Sequence, residues 1–264
     1  MPVFYDQLNR AVSVPAFPKR IISIVPSQTE LLFYMGLDAE IAGITKFCIH
    51  PANKVSLVPK IGGTKQLNLE VIHQLRPDLI IANKEENEQS QVEELMKHYP
   101  VWISDIHDLP GALQMISGIG AITGSVEEAS KIDTIIQQRF DELNKPVIIT
   151  RAAYLIWRKP YMAAGKGTFI DSMLQRCGFD NVFSETRYPE ISPEALIAAK
   201  PELLLLSSEP YPFADKHIAE FKALLPNTRV LLVDGEMFSW YGSRLLEAPA
   251  YFTGLIEPIN NFKS

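Results

Sequence analysis

The chain has 264 residues, of which 47% are hydrophobic and 21% charged, and a formal net charge of −6. That length holds two domain-sized cores, and the acidic balance argues against a nucleic-acid-binding surface, which favours a basic excess. No apolar run is long enough to cross a bilayer, and the two cysteines, Cys48 and Cys177, make no disulfide framework.

In chain order, residues 3–17 alternate around Asn9-Arg10 and predict an edge hairpin. Met1–Gln7 has neither the basic start nor the apolar core of a signal peptide. Ile21–Val25 reads as a buried strand, and Ser27 with Glu30 reads as a capping box for a helix over Gln28–Met35, closed by Gly36. Strand, tight turn and helix start in that order mark the ligand end of an open α/β sheet, and equally an ordinary turn. A strand over Ile41–Ile44 leads into Lys46–Pro51, which carries Phe47, Cys48 and His50; no second ligand stands at zinc spacing, so no metal site is expected. After the loop Asn83–Asn87 come a helix to about His98, a strand over Val101–Ser104 and a glycine-dotted helix from Gly111 to Gly124. Gly118, Gly120 and Gly124 miss the dinucleotide spacing. Ser125 and Glu128 box the start of a helix over 126–144, roughly 28 Å long and ended by Lys145-Pro146.

The second half opens with strands over Val147–Thr150 and Ala153–Ile156. Gly165-Lys166 resembles a phosphate loop, but Pro160 stands where its first glycine belongs and Thr168 comes one residue late. Trp157, Tyr161 and Met162, ahead of a helix over Phe169–Cys177, offer an apolar face with polar tips that suits either a flat ligand or core packing. Tyr188 stands on a loop. Beyond Val230–Asp234, the aromatics Phe238, Trp240 and Tyr241 lie between Gly235 and Gly242, just before Arg244, and read as a pocket; a closing helix runs to about Asn260.

The segment Asn68–Ala82 recurs as Ser192–Leu206 without a gap, at a spacing of 124 residues (68 to 192, 77 to 201). Each copy reads as a capped helix, a stopping proline, an acid and an apolar strand. Val101–Asp105 is echoed by Val230–Asp234, and Met35–Asp38 by Cys177–Asp180. A repeat of this kind constrains the whole architecture. The expectation is an α/β protein of two related three-layer lobes with mainly parallel sheets: residues 1–124, a linking helix over 125–145, and residues 146–264. A ligand cleft is expected between them. Glu70 and Glu194 occupy equivalent first-turn positions, where the helix dipole alone accounts for an acid. No Ser–His–Asp or Cys–His arrangement, catalytic carboxylate pair or phosphate loop argues for an enzyme.

Arg20–Leu31, Gly62-Gly63, Asn68–Glu70, Pro77–Ile80, Gly178–Phe183 and Ser192–Glu194, in that order, resemble the helical-backbone substrate-binding proteins of ABC importers, most of all those for cobalamin and iron–siderophore chelates. The likeness covers nearly all of residues 3–260. It implies two lobes joined by one long helix, no catalysis and no resident cofactor. It also implies a metal-chelate ligand (cobalamin or another corrinoid, then haem or a ferric siderophore), a membrane permease as partner, a monomer and an extracytoplasmic location. The absence of a signal peptide leaves a cytoplasmic location open. By the same resemblance Glu70 and Glu194 match paired glutamates that dock on permease arginines, and Phe47, Tyr188 and Arg244 match ligand contacts. Thr64 and Asn83 stand where tryptophans line the cobalamin pocket, with Trp157 and Trp240 as substitutes. The alternative is a non-exported tetrapyrrole- or corrinoid-handling protein or enzyme on the same fold.

Overall fold

The computed structural model describes residues 1–144 and 149–260. Contacts divide the chain into two compact units, one of Met1–Ile106, Pro110–Ile136 and Tyr241–Arg244, the other of His107–Leu109, Gln137–Trp240 and Leu245–Ser264.

In the first unit, β1 (Val3–Tyr5) and β2 (Ala11–Ser13) form the hairpin expected at the start. Then come β3 (Ile21–Ser23), α1 (Pro26–Tyr34), β4 (Ile41–Ile44), α2 (Ala52–Val55), α3 (Leu69–Leu75), β5 (Leu79–Asn83), α4 (Gln89–Met96), β6 (Val101–Ser104) and α5 (Leu109–Thr123). The sheet order is β4-β3-β5-β6, all parallel. Every residue of β5 is buried, as a parallel strand covered on both faces requires. Helix α6 (Val126–Asp141) carries the chain out of this unit, the division falling between Ile136 and Gln137. Gly118 of α5 lies against Trp102, where an added Cβ would come within 2.8 Å of the indole, so only glycine admits that approach.

The second unit contains β7 (Thr150–Trp157), β8 (Tyr161–Ala163), α7 (Phe169–Arg176), β9 (Phe179–Asn181), β10 (Glu190–Ile191), α8 (Pro193–Ala199), β11 (Leu203–Ser207), α9 (Asp215–Leu224), β12 (Arg229–Val233), α10 (Gly235–Ser239) and α11 (Ala248–Asn260). Its parallel strands run β9-β7-β11-β12, the same order as β4-β3-β5-β6. Two antiparallel strands are added: β8 pairs with the far half of β7, and β10 pairs with β8.

The repeat extends to single hydrogen bonds. Ile21 faces Leu79 across β3–β5 and Ala152 faces Leu203 across β7–β11; Ile80 faces Val101 as Leu204 faces Val230. Asn68 and Ser192 cap α3 and α8 by accepting from Val71 N and Ala195 N at 3.2 and 3.1 Å. Both helices end in a left-handed residue, Arg76 (φ 46°) and Lys200 (φ 47°). The Arg20 Nε donates to the Leu75 carbonyl at 2.8 Å, and the Arg151 Nη2 donates to the Ala199 carbonyl at 2.7 Å. Asp78 accepts from the Arg20 N–H at 2.9 Å, and Glu202 from the Arg151 N–H at 2.9 Å. Each motif therefore braces the amino end of a buried strand with an arginine and an acid.

Some boundaries depart from expectation. The Ser27–Glu30 capping box does not form: α1 starts at Pro26, whose fixed φ suits the first helical position and puts Ser27 inside the helix. Among the described residues the Ser27 hydroxyl has no hydrogen-bond partner, and Glu30 pairs with Arg244 instead. The strand expected over Val147–Thr150 lies mostly outside the described residues, as does the Lys145-Pro146 stop; α6 ends at Asp141.

Because each cap accepts the same first-turn N–H, Asn68→Ala and Ser192→Ala should each lower stability by about 1 kcal/mol in denaturant melts. A silent Ser192 variant beside a costly Asn68 variant contradicts the equivalence of the two motifs.

Candidate ligand-binding rims

In a parallel sheet all strands end on one edge, and there the loops carry polar and aromatic side chains that the buried strands cannot. Each unit is described by its own rim.

On the second unit's rim, β7 ends at Trp157, which is 38% exposed. Its indole meets the Tyr211 ring edge-on at 5.7 Å and donates to the Lys159 carbonyl at 3.2 Å. Trp157 faces Met162 across β7–β8, Tyr161 faces Ile191 across β8–β10, and the residue after Tyr188, Pro189, accepts from the Ala163 N–H at 3.0 Å. Trp157, Tyr161 and Met162 thus stand together at the carboxyl end of β7, while Tyr188, just ahead of β10, falls beside Ala164 at the level of Tyr154.

A polar network lies beneath them. Arg158 donates to Glu220 through Nε (3.0 Å) and Nη2 (2.6 Å), and the Tyr161 hydroxyl donates to the same carboxylate at 2.9 Å. Partial burial raises the Glu220 carboxyl, but the Arg158 and Tyr161 hydrogen bonds outweigh it and hold the group below the usual carboxylate range. Burial and the neighbouring carboxylate push the Tyr161 phenol up to about 12. His217, 3% exposed, accepts from the Ala214 N–H through Nδ1 at 2.9 Å, which places its proton on Nε2, 3.3 Å from the Tyr211 hydroxyl. Burial, then Arg158 and Lys216, push the imidazole down, so it stays neutral.

Phe238, read from the sequence as a ligand contact, is fully buried against Tyr154 (5.1 Å), Phe252 (4.8 Å) and Tyr251 (6.4 Å), and belongs to the core. The short helix α10 turns its aromatic inward. Trp240 is 7% exposed, and its Nε1 donates to Glu209 Oε1 at 2.9 Å.

On the first unit's rim, Phe47 is 51% exposed beyond β4, with the Lys46 ammonium 5.2 Å from its ring centroid. The ring rests on Gly63, where an added Cβ would come within 3.0 Å of it. Asn83 is buried and structural: its Nδ2 donates to Ser104 Oγ at 3.0 Å, and its Oδ1 accepts from the N–H groups of Glu85 (2.8 Å) and Glu86 (2.9 Å). It therefore does not line a pocket as a tryptophan would. Tyr241 is buried, its hydroxyl donating to Glu86. The Arg244 guanidinium pairs with Glu30 at 2.5 Å, both side chains being largely covered, so it is not offered to an anionic ligand group.

Glu70 and Glu194 are exposed on α3 and α8. Ser192 and the helix backbone hold the Glu194 carboxyl below its ordinary range, so it stays ionised. Both cysteines are buried thiols; burial raises Cys177, and raises Cys48 against the opposing hydrogen bonds from Thr29 and Thr45. Among the described residues no cluster of His, Cys, Asp or Glu is arranged to hold a metal, and no helix is long and apolar enough to cross a membrane.

Two repeated α/β units with parallel sheets and aromatic, hydrogen-bonded rims define a protein of the solute-binding class. The chain belongs to the periplasmic binding protein family, whose profile matches residues 21–225. It is 26% identical over 250 residues to the vitamin B12-binding protein of Pectobacterium atrosepticum, covering 88% of this chain and 86% of that one. Its fold is similar to that of the periplasmic vitamin B12 binding protein BtuF of Vibrio cholerae (TM-score 0.79, 22% identity, 92% and 98% of the two chains). It is equally similar to the periplasmic haem-binding protein RhuT of Roseiflexus sp. RS-1 (TM-score 0.80, 20% identity, 93% and 99%).

Sequence reasoning missed Tyr211, Arg158, Glu220, His217 and Glu209. For Glu209 a signal existed: it stands 124 residues after Glu85, in the register of the repeat (85 to 209), and both follow a strand end. The Glu85 N–H donates to Asn83 Oδ1, and the Glu209 N–H to Ser207 Oγ at 3.3 Å. The other four are tied to the rim by contacts such as Arg158 to Glu220, 62 residues apart, that no local pattern displays.

His217 sets a pH dependence. Its folded pKa lies below its unfolded one, near 6.5, so the unfolded chain takes up the proton first as pH falls. The stability it contributes is present above about pH 6.5 and is lost below it. The melting temperature should fall between about pH 7 and pH 5.5, and His217→Gln should flatten that slope; an equal slope in both proteins contradicts the assignment.

Proposed function

We propose that this protein is the substrate-binding receptor of an ABC importer, working outside the cytoplasm as a monomer without a resident cofactor. Its ligand is a bulky metal chelate, a corrinoid such as cobalamin first and haem or a ferric siderophore next, which it hands to a membrane permease. It catalyses no reaction on that ligand. The observation that carries the reading is the end-to-end likeness to a vitamin B12-binding protein, over 88% of this chain. The rims support it independently: Phe47 and Trp157 are large aromatics left exposed at strand carboxyl ends, where a flat ring system finds apolar area and polar tips together.

The proposed ligand contacts are Phe47 on one rim, Trp157, Tyr161 and Met162 on the other, and Tyr188 just ahead of β10. Trp240, Tyr241 and Arg244 act behind these surfaces, each held by an acid, namely Glu209, Glu86 and Glu30. Glu70 and Glu194 are the docking points for the permease. Both are exposed and stand at equivalent places of the repeat, in the first turns of α3 and α8.

Absorbance and tryptophan-fluorescence titrations with cyanocobalamin, cobinamide, haem and a ferric siderophore test the ligand. Saturable 1:1 binding of a corrinoid, recovered unchanged, is expected; consumption of a tetrapyrrole without tight binding would replace the receptor by an enzyme. For docking, Glu70→Arg combined with Glu194→Arg should leave ligand affinity within about twofold and abolish permease stimulation in proteoliposomes, because two attractive contacts become repulsive. Normal uptake with the double variant rejects the docking role.

A further inference from the structure

Glu209 stands out on the second unit's rim. It lies two residues beyond β11, and its side chain is largely shielded from solvent beside Gly235, where an added Cβ would come within 2.5 Å of the Glu209 Cγ. One oxygen, Oε1, accepts two neutral donors, Ser239 Oγ at 2.8 Å and Trp240 Nε1 at 2.9 Å. No ion pair at this carboxylate occurs among the described residues. Arg158 on the same rim is committed to Glu220. Burial raises the Glu209 carboxyl and the nearby Asp234 and Glu236 add to that, against the two hydrogen bonds.

A shielded carboxylate without a cation is costly to keep, and such groups persist where a partner arrives from outside. Two donors fix Oε1 and thereby aim the group, leaving Oε2 to accept from a ligand. What suits it is an N–H donor. A second carboxylate at that place would meet a like charge in a partly desolvated setting, where repulsion is strong.

We propose that Glu209 is a specificity-determining residue of the rim, accepting an N–H from a primary-amide side group of the ligand and turning away chelates that carry carboxylates there. Ser239 and Trp240 are its positioning residues. This rests on the receptor reading above and narrows it: the ligand class is an amide-fringed corrinoid rather than a polycarboxylate chelate such as haem.

The test compares cobinamide with cobyrinic acid, the same ring bearing carboxylates in place of amides, by titration against the wild type, Glu209→Gln and Glu236→Gln. The last removes one negative charge a turn away and controls for overall charge. Wild type should prefer cobinamide by at least about tenfold. Glu209→Gln should bring the two affinities within about threefold, weakening cobinamide and strengthening the acid, while Glu236→Gln keeps most of the preference. Equal wild-type affinities overturn the proposal, as does an equal loss for both ligands in Glu209→Gln, or a Glu236→Gln effect as large as that of Glu209→Gln. Should Glu209→Gln fail to fold, the wild-type preference decides alone. A folded wild type that binds neither ligand sinks the receptor reading itself.

Discussion

Everything in each unit depends on one constraint: a strand buried on both faces within a parallel sheet has nothing but its two ends with which to meet water. β5 and β11 are such strands, fully buried along their length. Their amino ends are closed by the arginine–acid braces of Arg20 with Asp78 and Arg151 with Glu202. Their carboxyl ends are turned by a side-chain oxygen that accepts an N–H two residues on, from Asn83 in one unit and Ser207 in the other. Since all neighbouring strands run the same way, the chain's adaptable residues collect at one edge of each sheet. The amino edge carries stability and the carboxyl edge is free to carry recognition.

The charges on the second rim act by position more than by energy. The Arg158–Glu220 pair is partly solvated, and screening by water leaves such a pair little net stabilising effect. It matters because the same carboxylate holds Tyr161, and because Tyr211, flanked by His217 and Phe213, braces the edge of Trp157. Trp157 is therefore held in place rather than merely exposed, and a side chain already fixed has less entropy to lose in any contact. The first rim follows the same logic with different parts: Phe47 lies on a bare glycine with Lys46 nearby.

Much of this architecture is legible in the sequence. A parallel ladder ties strand register to sequence spacing, so an ungapped repeat from Asn68 to Ala82 and from Ser192 to Leu206 survives as equivalent caps, braces and strand partners. Local patterns failed where a partner lies far along the chain. Ser27 and Glu30 have capping-box spacing, but Pro26 starts the helix earlier and Glu30 answers Arg244, 214 residues away. Phe238, Trp240 and Tyr241 look like pocket residues between glycines, yet the first faces the core and the other two are bound to acids from distant loops. Periodicity over five residues cannot separate an inward from an outward face, and burial alone decides it.

The central claim is that recognition belongs to the carboxyl edges of the two sheets. Hydrogen–deuterium exchange with and without cyanocobalamin tests it most directly. Slowed exchange is expected in residues 46–48, 157–162 and 208–212, with residues 19–21, 76–79 and 151–152 at the amino edges unchanged. Protection at the amino edges, with the carboxyl-edge loops exchanging as before, would contradict the account.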